Sequence, residues 1–376
     1  MDELYSSIGR ISGKRSNESS LRINDFPRRP NKKAEESDIP VELLENILRR
    51  LSLVDNLRAS GVCHRWMAVA KSVRVSNKHP WIMYHSWRYK TNEFYNPVQR
   101  KSHYLRLSGI KYRLVCYCND SWLLLYSHVG LLLTLYSPYT QKAVELPQMD
   151  FPSKLAAFSA APNAPSCIVI ALMQLQPHVI AISTYRPGDD TWTVNHFENP
   201  EPFVSSNPNQ WTFCNGHFYC LSQSGQLGCY DPDNSAWSVV PVEQPECIRA
   251  NPLDIGERAM YMAEHAGDIY LIYAYPFLNP FVHKLDSAAN QWVEIEDLGG
   301  LTIFANYMSS FVRTDMIGIM RNSIYFSKVI FYGKRPVVYS LRQKRFFPRQ
   351  EGYNLCNEEP YENIWIDAPD DLSEFF

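Results

Sequence analysis

The stretch Tyr230-Asp231-Pro232-Asp233-Asn234-Ser235-Ala236-Trp237 carries an aromatic side chain at each end of a polar segment. Its Asp-Pro step favours a tight turn, because the proline ring fixes one backbone angle and the aspartate side chain bonds to the nearby backbone. The stretch therefore predicts a strand, a turn and a second strand. Three further copies show the same spacing of seven residues between their end residues, namely Tyr185 to Trp192, Leu285 to Trp292 and Tyr339 to Phe346.

Weaker copies extend the repeat toward the N-terminus, from Tyr95 to Tyr104 and from Tyr136 to Val144. The last residues of the six copies, at 104, 144, 192, 237, 292 and 346, are 40 to 55 residues apart. Another apolar strand precedes most of the units, and about four short strands per such period is typical of a β-propeller blade. The sequence therefore predicts a mainly β fold in which residues 80–369 form a propeller of about six blades, with seven as the alternative count.

The residues at the ends of the strong copies are interpreted as core residues that pack between neighbouring sheets, because large aromatic side chains supply most of the buried area in such a fold. We expect these blade-packing positions to be Tyr185, Trp192, Tyr230, Trp237, Trp292, Tyr339 and Phe346.

The composition excludes several classes of protein. Of the 376 residues, 45% are hydrophobic and 20% are charged, which excludes a wholly disordered chain. A net charge of −2 excludes a global basic field for nucleic acid. The longest apolar stretches, 122–136 and 168–182, are shorter than the roughly 18–20 residues of a membrane span and predict pairs of buried strands. The N-terminus has no apolar core of a secretory signal, so no membrane partner is expected.

The nine cysteines include no Cys-x-x-Cys pair. This pattern favours free thiols in a reducing compartment over a disulfide framework, and it offers no zinc site. We therefore expect the protein in the cytoplasm and/or the nucleus, without metal or cofactor.

The N-terminal part divides into a tail and a helical module. Residues 1–36 are polar and aperiodic, which predicts a disordered tail. A weak basic cluster within it, Arg28, Arg29, Lys32 and Lys33, is interpreted as a solvated linker, with a nuclear-import signal as the alternative.

Residues 38–79 predict three short helices. Asp38 is expected to cap the first helix, with Pro40 in its first turn, and Asp55 is expected to cap the second. Leu43, Ile47 and Leu51 follow at a spacing of four, with Leu44 and Leu48 beside them. An apolar stripe of this width exceeds what one small packing partner covers, and a module of this size is too small to be stable unaided. Its surplus apolar face indicates an obligate partner.

The module resembles an F-box. The resemblance is carried by Asp38-Ile39-Pro40, by Glu42-Leu43-Leu44-Glu45-Asn46-Ile47-Leu48, and by Val62-Cys63-His64-Arg65-Trp66. Together with the repeats, the chain resembles plant F-box proteins that have a degenerate kelch-like propeller, although the glycine doublet of a regular kelch blade is mostly missing. The resemblance implies a substrate receptor that docks on a Skp-type adaptor and, through it, on a cullin. The residues expected to contact the adaptor or to support that contact are Pro40, Leu43, Leu44, Ile47, Leu48, Leu51, Val62 and Trp66.

The C-terminal end predicts ring closure. Asn363 to Asp367 has the pattern of a strand, and we expect it to join the first blade, because an open propeller would leave sheet edges exposed. Residues 370–376 are interpreted as an acidic tail.

No catalytic motif accompanies these features. The sequence contains no His-Glu-x-x-His, no Gly-x-Ser-x-Gly and no phosphate-binding loop. We therefore expect a non-catalytic protein. The resemblance implies a receptor whose propeller binds an unidentified target protein for ubiquitination. The alternatives are a propeller enzyme that uses the helices as an adaptor, and a scaffold that binds the adaptor without a cullin. Nucleic-acid binding by the basic residues of 342–349 is disfavoured, because Phe346 is already assigned to a blade.

Overall fold

The computed structural model describes residues 39–51, 53–74, 79–85, 91–150, 155–199, 211–222, 224–246, 259–314, 320–330, 335–349 and 363–369, and the single residues 153, 203, 316, 353 and 355. The expected N-terminal tail with its basic cluster, the expected cap Asp38 and the acidic tail lie outside the described residues. Among the helices that the structure describes, none has the length and hydropathy needed to span a bilayer.

Three helices open the described chain, as expected: α1 (Val41–Arg49), α2 (Leu53–Ser60) and α3 (His64–Arg74). Pro40 lies just before the first turn of α1 and not within it, because its backbone is extended. The Pro40 carbonyl instead accepts a hydrogen bond from the backbone N–H of Leu44 at 3.0 Å. The prediction that Asp55 caps α2 is also wrong. The helix starts at Leu53, two residues before Asp55, so Asp55 lies in its first turn and pairs with Arg58 at 3.1 Å.

The remaining elements are strands in six sheets, each of which is one blade. Blade 1 contains β1 (Trp81–Tyr84), β2 (Thr91–Asn96) and β3 (Lys101–Arg106). Blade 2 contains β4 (Leu114–Asn119), β5 (Trp122–Ser127), β6 (Leu132–Tyr136) and β7 (Ala143–Glu145). Blade 3 contains β8 (Leu155–Phe158), β9 (Val169–Gln176), β10 (Val179–Tyr185) and β11 (Thr193–Glu198). Blade 4 contains β12 (Trp211–Cys214), β13 (His217–Leu221), β14 (Leu227–Asp231) and β15 (Ala236–Val240). Blade 5 contains β16 (Ala259–His265), β17 (Asp268–Ala274), β18 (Phe281–Asp286) and β19 (Gln291–Glu294). Blade 6 contains β20 (Thr302–Ala305), β21 (Phe311–Arg313), β22 (Ser323–Ile330), β23 (Arg335–Ser340) and β24 (Arg345–Phe347), and the last strand is β25 (Asn363–Ile366).

The last strand closes the ring, as the sequence predicts. β25 does not extend blade 6 but pairs antiparallel with β1, so that Trp81 lies opposite Ile366 and Ile82 opposite Trp365. Blade 1 is thereby completed in the order β25-β1-β2-β3, with strands from both ends of the propeller. Trp365 is fully buried and packs edge-on against Phe304 of blade 6, with ring centroids 5.1 Å apart.

The seven-residue repeat corresponds to a cross-strand pair between the third and fourth strands of a blade. Tyr230 lies opposite Trp237, Leu285 opposite Trp292 and Tyr339 opposite Phe346. In blade 3 the rings of Tyr185 and Trp192 are 5.5 Å apart, just beyond the last paired residues of β10 and β11.

The same register also holds in the two weaker copies, which the sequence reading aligned incorrectly. Tyr95 lies opposite Ser102 and Tyr136 opposite Ala143, whereas Tyr104 and Val144 pair with other residues. The spacing of seven is thus kept in these blades, but a small residue replaces the second aromatic one. The sequence analysis required an aromatic or apolar residue at the second position, and it therefore chose Tyr104 and Val144 in place of the true partners Ser102 and Ala143.

The expected blade-packing residues line the contacts between sheets. Five of the seven, Tyr185, Tyr230, Trp292, Tyr339 and Phe346, are buried. Trp192 and Trp237 are half-buried and pack against the core cluster that joins blades 2, 3 and 4. Trp237 lies over Gly228 of the neighbouring strand, where a Cβ atom would come within 2.1 Å of its ring. The absence of a side chain at Gly228 therefore lets the tryptophan lie flat on the sheet.

Blade 6 departs from the regular pattern. It has five strands in the order β21-β20-β22-β23-β24, and β20 runs parallel to β22. The segment between β20 and β21 is buried at the centre of the ring. Its Ser309 hydroxyl donates to the Cys118 carbonyl in blade 2 at 2.5 Å, and its Asn306 amide donates to the Asn363 carbonyl in blade 1 at 2.6 Å. The insertion therefore ties blade 6 to two other blades across the axis.

The connections between strands form two rims. Those from the first to the second strand of a blade and from the third to the fourth form the lower rim, and the others form the upper rim. In blade 1 the first strand is β25 and the second is β1, so no connection joins them directly. The end of β25 at Ile366 and the start of β1 at Trp81 lie at the lower rim instead. The chain that comes from the helices therefore enters the propeller at the lower rim.

We expect Trp365→Ala to lower the free energy of unfolding by about 3–5 kcal/mol, because it leaves a cavity at the closing seam. Chemical denaturation of the purified chain measures this change. Val129→Ala is the matched control, since Val129 is 85% exposed, and it should change stability by less than about 0.5 kcal/mol. Equal effects of the two substitutions would contradict the closure role of Trp365.

We expect Gly228→Ala to destabilise the protein by about 1–3 kcal/mol, because the new methyl group overlaps the Trp237 ring. Trp237→Leu removes the obstructing ring, so the double variant should be more stable than the sum of the two single effects implies. Denaturation of all three variants gives this coupling energy. Simple additivity would show that the two residues do not interact.

We expect two buried histidines to make stability fall in mild acid. Burial lowers the pKa of His79 and of His283 to about 4, so both rings stay neutral in the folded chain as the pH falls. In the unfolded chain they take up a proton near pH 6.5. The free energy of unfolding therefore decreases between pH 6.5 and 4, by up to about 1.4 kcal/mol per pH unit for each histidine.

Denaturation at pH 7.5 and 5.0 of the wild type and of His79→Gln/His283→Gln tests this pH dependence. The double variant should lose less stability on acidification than the wild type. His128→Gln changes an exposed histidine and should retain the wild-type pH dependence. An identical loss in the wild type and the double variant would exclude these two groups as the cause.

Candidate functional site

The first helix of the N-terminal module has two apolar faces. Leu44 and Leu48, one turn apart, are 0% and 1% exposed and pack against α3. Leu43 and Ile47, each one residue earlier, are 55% and 46% exposed. A helix that only completed a core would carry polar residues at the second pair of positions. The exposed pair therefore forms a surface that the module itself leaves uncovered.

The buried face holds the module together. Its core consists of Leu44, Leu48, Val69, Ala70 and Val73, with Ile39, Leu51, Ala59 and Trp66 packed against it. The Asn56 amide donates to the Leu48 carbonyl at 3.4 Å, and the Arg65 guanidinium donates to the carbonyl of Ile39. These bonds tie both ends of α1 to the other two helices, so the exposed stripe of α1 is held in a fixed orientation.

The turn between α2 and α3 adds a further apolar side chain to the surface of the module. Gly61 and Val62 end α2, with their backbone N–H groups donating to Arg58 and Ala59 at 3.1 Å. The Val62 side chain is 64% exposed. The Cys63 sulfur then accepts a hydrogen bond from the backbone N–H of Trp66 at 3.5 Å, which caps the start of α3.

The eight residues expected at the adaptor surface thus occupy three environments. Pro40, Leu43, Ile47 and Val62 are exposed; Leu51 and Trp66 are half-buried; Leu44 and Leu48 are buried. Helix periodicity could not separate the two apolar faces, since their positions differ by a single residue. It also missed Val41, which is 42% exposed although its spacing to Leu44 and Leu48 places it on the inner face.

The described residues of the propeller show no comparable chemical centre. Within the described part of the chain, no three His, Cys, Asp or Glu side chains lie close enough together to hold a metal ion. The described cysteines are free, and burial raises the pKa of the Cys167 and Cys214 thiols to about 11. These two thiols therefore stay protonated at neutral pH and are poor nucleophiles.

Two carboxylates in the repeated units shape the turns between strands. Asp231 accepts hydrogen bonds from the backbone N–H groups of Asp233 and Asn234 and from the Asn234 amide, at 2.7–3.1 Å. These bonds, led by the one from the Asn234 side chain, lower the pKa of Asp231. Asp286 accepts from Ala288 and Ala289 at 3.0 Å in the same way. Both side chains are engaged in shaping the blade.

An ion pair near the axis joins the closing strand to blade 6. The Arg313 guanidinium binds the Asp367 carboxylate, and the Tyr139 hydroxyl donates to the Asp367 carbonyl at 2.7 Å. Burial raises the pKa of the nearby Asp120, the Asp367 charge raises it further, and Arg313 opposes both effects. The carboxylate of Asp367 is thus used in closing the ring.

Comparison with known proteins agrees with this division of the chain. Residues 36–78 match the F-box domain, and residues 94–348 match the family described as KIB1-4 beta-propeller. The second match covers more than half of the chain.

Relatives from a plant align with most of this chain. The chain is 34% identical over 341 residues to F-box/kelch-repeat protein At1g57790 of Arabidopsis thaliana, an alignment that covers 90% of this chain and 96% of the relative. It is 35% identical over 345 residues to F-box protein At3g56470 of the same plant, with 88% of each chain covered. F-box/kelch-repeat protein At3g18720 is 33% identical over 78% of this chain and 80% of its own length. On these matches, the chain belongs to the F-box proteins that carry a KIB1-4 β-propeller.

Proposed function

We propose that this protein is the substrate-recognition subunit of a Skp–cullin–F-box ubiquitin-protein ligase. F-box domains generally bind Skp1-type adaptors, and an F-box joined to a propeller is the general architecture of a substrate adaptor. The observation that carries the proposal is the exposed Leu43–Ile47 stripe on a helix whose other face is already packed. Cullin recruitment through the adaptor, and ubiquitination of a target held by the propeller, complete the proposed role.

The stripe has the form that a helix-in-groove contact requires. Such contacts place apolar side chains one turn apart into a groove of the partner. Leu43 and Ile47 have that spacing, and Pro40, Val41 and Val62 add exposed apolar area on the same module. Leu44, Leu48, Leu51 and Trp66 support the contact from beneath by fixing the helix.

The chain itself performs no bond-making step in this proposal. Its contribution is to hold a target protein near a charged ubiquitin-conjugating enzyme, which raises their effective concentration. The engaged carboxylates and the protonated buried thiols of the described propeller support a receptor over an enzyme. The free thiols also support our placement of the protein in the cytoplasm or the nucleus, where thiols remain reduced.

We expect Leu43→Ala/Ile47→Ala to weaken binding to a Skp-type adaptor between about tenfold and a hundredfold. Each side chain already buries about half of its area in the module, so docking buries roughly the other half, worth about 0.8–1.5 kcal/mol each. A pull-down and a titration with purified adaptor measure the loss. The pair Leu43→Met/Ile47→Leu keeps volume and apolarity and should retain binding.

Thermal unfolding of both variants should match that of the wild type, because neither side chain belongs to the core. Failure of the wild-type chain to bind any Skp-type adaptor would overturn the proposal. Adaptor binding without cullin recruitment would favour a scaffold, and turnover of a small molecule without ubiquitin components would favour an enzyme. Transfer of ubiquitin in a reconstituted complex separates the receptor from both alternatives.

A further inference from the structure

The exposed apolar side chains of the propeller are unevenly distributed between its rims. Three side chains of this kind at the upper rim, Tyr112, Phe277 and Val129, are 61%, 63% and 85% exposed. Leu175 and Leu278 lie at the same rim. The described lower rim has one such residue, Val98, and the outermost strands have Tyr104 and Val293. The upper rim is the one opposite the entry of the chain from the helices.

Two of these residues are aromatic and have an unfavourable backbone conformation. The φ angles of Tyr112 and Phe277 are +62° and +61°. Bulky side chains rarely adopt this left-handed region, which asparagine and glycine tolerate better. Both rings are nevertheless more than half exposed. Residues held in such conformations concentrate at binding sites, so these two rings are candidates for contact with a partner.

The sequence around Tyr112 has a distinct charge. Between Glu93 and Asp120 there are five lysines and arginines and no acidic residue. The Lys111 ammonium lies over the Tyr112 ring, 4.5 Å from its centroid, and Lys111 has no ion-pair partner among the described residues. Arg113 is already paired with Glu145 at 3.4 Å. Lys111 is therefore the charged group beside Tyr112 that is available to an incoming ligand.

The apolar neighbour of this pair lies in blade 2. Leu114 and Tyr126 are Cα partners at the upper end of β4 and β5, and the chain continues from them to Tyr112 on one side and to Val129 on the other. The rim at this point combines a positive charge, an aromatic ring and an aliphatic side chain. A chemically matched partner carries a carboxylate next to an apolar side chain.

We propose that the upper rim around Lys111, Tyr112 and Val129 is the target-binding face of the propeller, and that it takes an acidic protein segment containing an apolar side chain. Phe277 and Leu278 extend this face on blade 5. The proposal rests on the receptor role above and deepens it, by assigning a face and a class of target. It places the target on the rim opposite the one at which the chain enters the ring at Trp81.

A random-peptide display selection on the purified full chain, without any adaptor, tests this proposal. We expect enriched peptides to be net acidic and to contain an aromatic or aliphatic residue. Tyr112→Asn and Lys111→Glu should each weaken their binding at least about tenfold. Val98→Asn, at the lower rim, is the matched control and should leave binding unchanged.

Tyr112→Asn carries a second readout, because asparagine relieves the left-handed strain. Its melting temperature should equal or exceed that of the wild type, and a clear decrease would assign the ring to packing and overturn its role in binding. No enriched peptide, peptides without net negative charge, or binding that survives both upper-rim substitutions would also overturn the proposal. A single-stranded oligothymidine that binds the rim in place of acidic peptides would assign it to nucleic acid instead.

The two levels of the proposal fail independently. The titration measures adaptor binding by the helical module, whereas the selection measures peptide binding by the propeller rim. Loss of adaptor binding in Leu43→Ala/Ile47→Ala should leave affinity for a selected peptide unchanged. A chain that binds the adaptor but selects no acidic peptide retains the receptor role and loses only the assigned face.

Discussion

The pairing of β25 with β1 is the constraint on which the rest of the propeller depends. Each blade packs on two neighbours, so an opening anywhere in the ring would expose two sheet faces and the unpaired edge of an inner strand. The protein avoids this by completing blade 1 with strands from both ends of the propeller chain. Trp365 and the Arg313–Asp367 ion pair both lie at this seam, and they attach the closing strand to blade 6 as well as to blade 1.

The irregular sixth blade extends the same closure to the axis. A regular blade would contribute only its inner strand to the centre, whereas here β20, β21 and the buried segment between them occupy it. That segment bonds to carbonyl groups in blades 1 and 2 through Asn306 and Ser309. The ring is thus held together both around its circumference and across its centre, which leaves the rims free to carry residues that do not serve stability.

The sequence predicted most of the architecture, because each part of it depends on local chemistry. The seven-residue spacing is a property of one turn and two strands, and it held in all six blades. The sequence identified both end residues correctly in blades 3 to 6. The parallel strand of blade 6 was not foreseen, since strand order depends on which distant segments meet. The surface of α1 was only partly resolved from sequence, because Leu43 and Leu44 have the same hydrophobicity and differ only in which side of a narrow helix they occupy. The strained Tyr112 and Phe277 leave no sequence signal, as backbone angles at a connection are set by the strands on either side of it.

The order of the elements along the chain has a consequence during synthesis on the ribosome. α3 ends at residue 74 and the closing strand ends at residue 366, so 366 − 74 = 292 residues separate them. At about 5–20 residues per second, roughly 15 to 60 seconds pass between the emergence of the helices and the moment when the ring can shut. A nascent chain therefore presents its helical surface long before it has a finished propeller. A message truncated ahead of residue 363 yields a product that keeps the helices and lacks the closed ring, and such a product would compete with intact copies for a limited pool of adaptor.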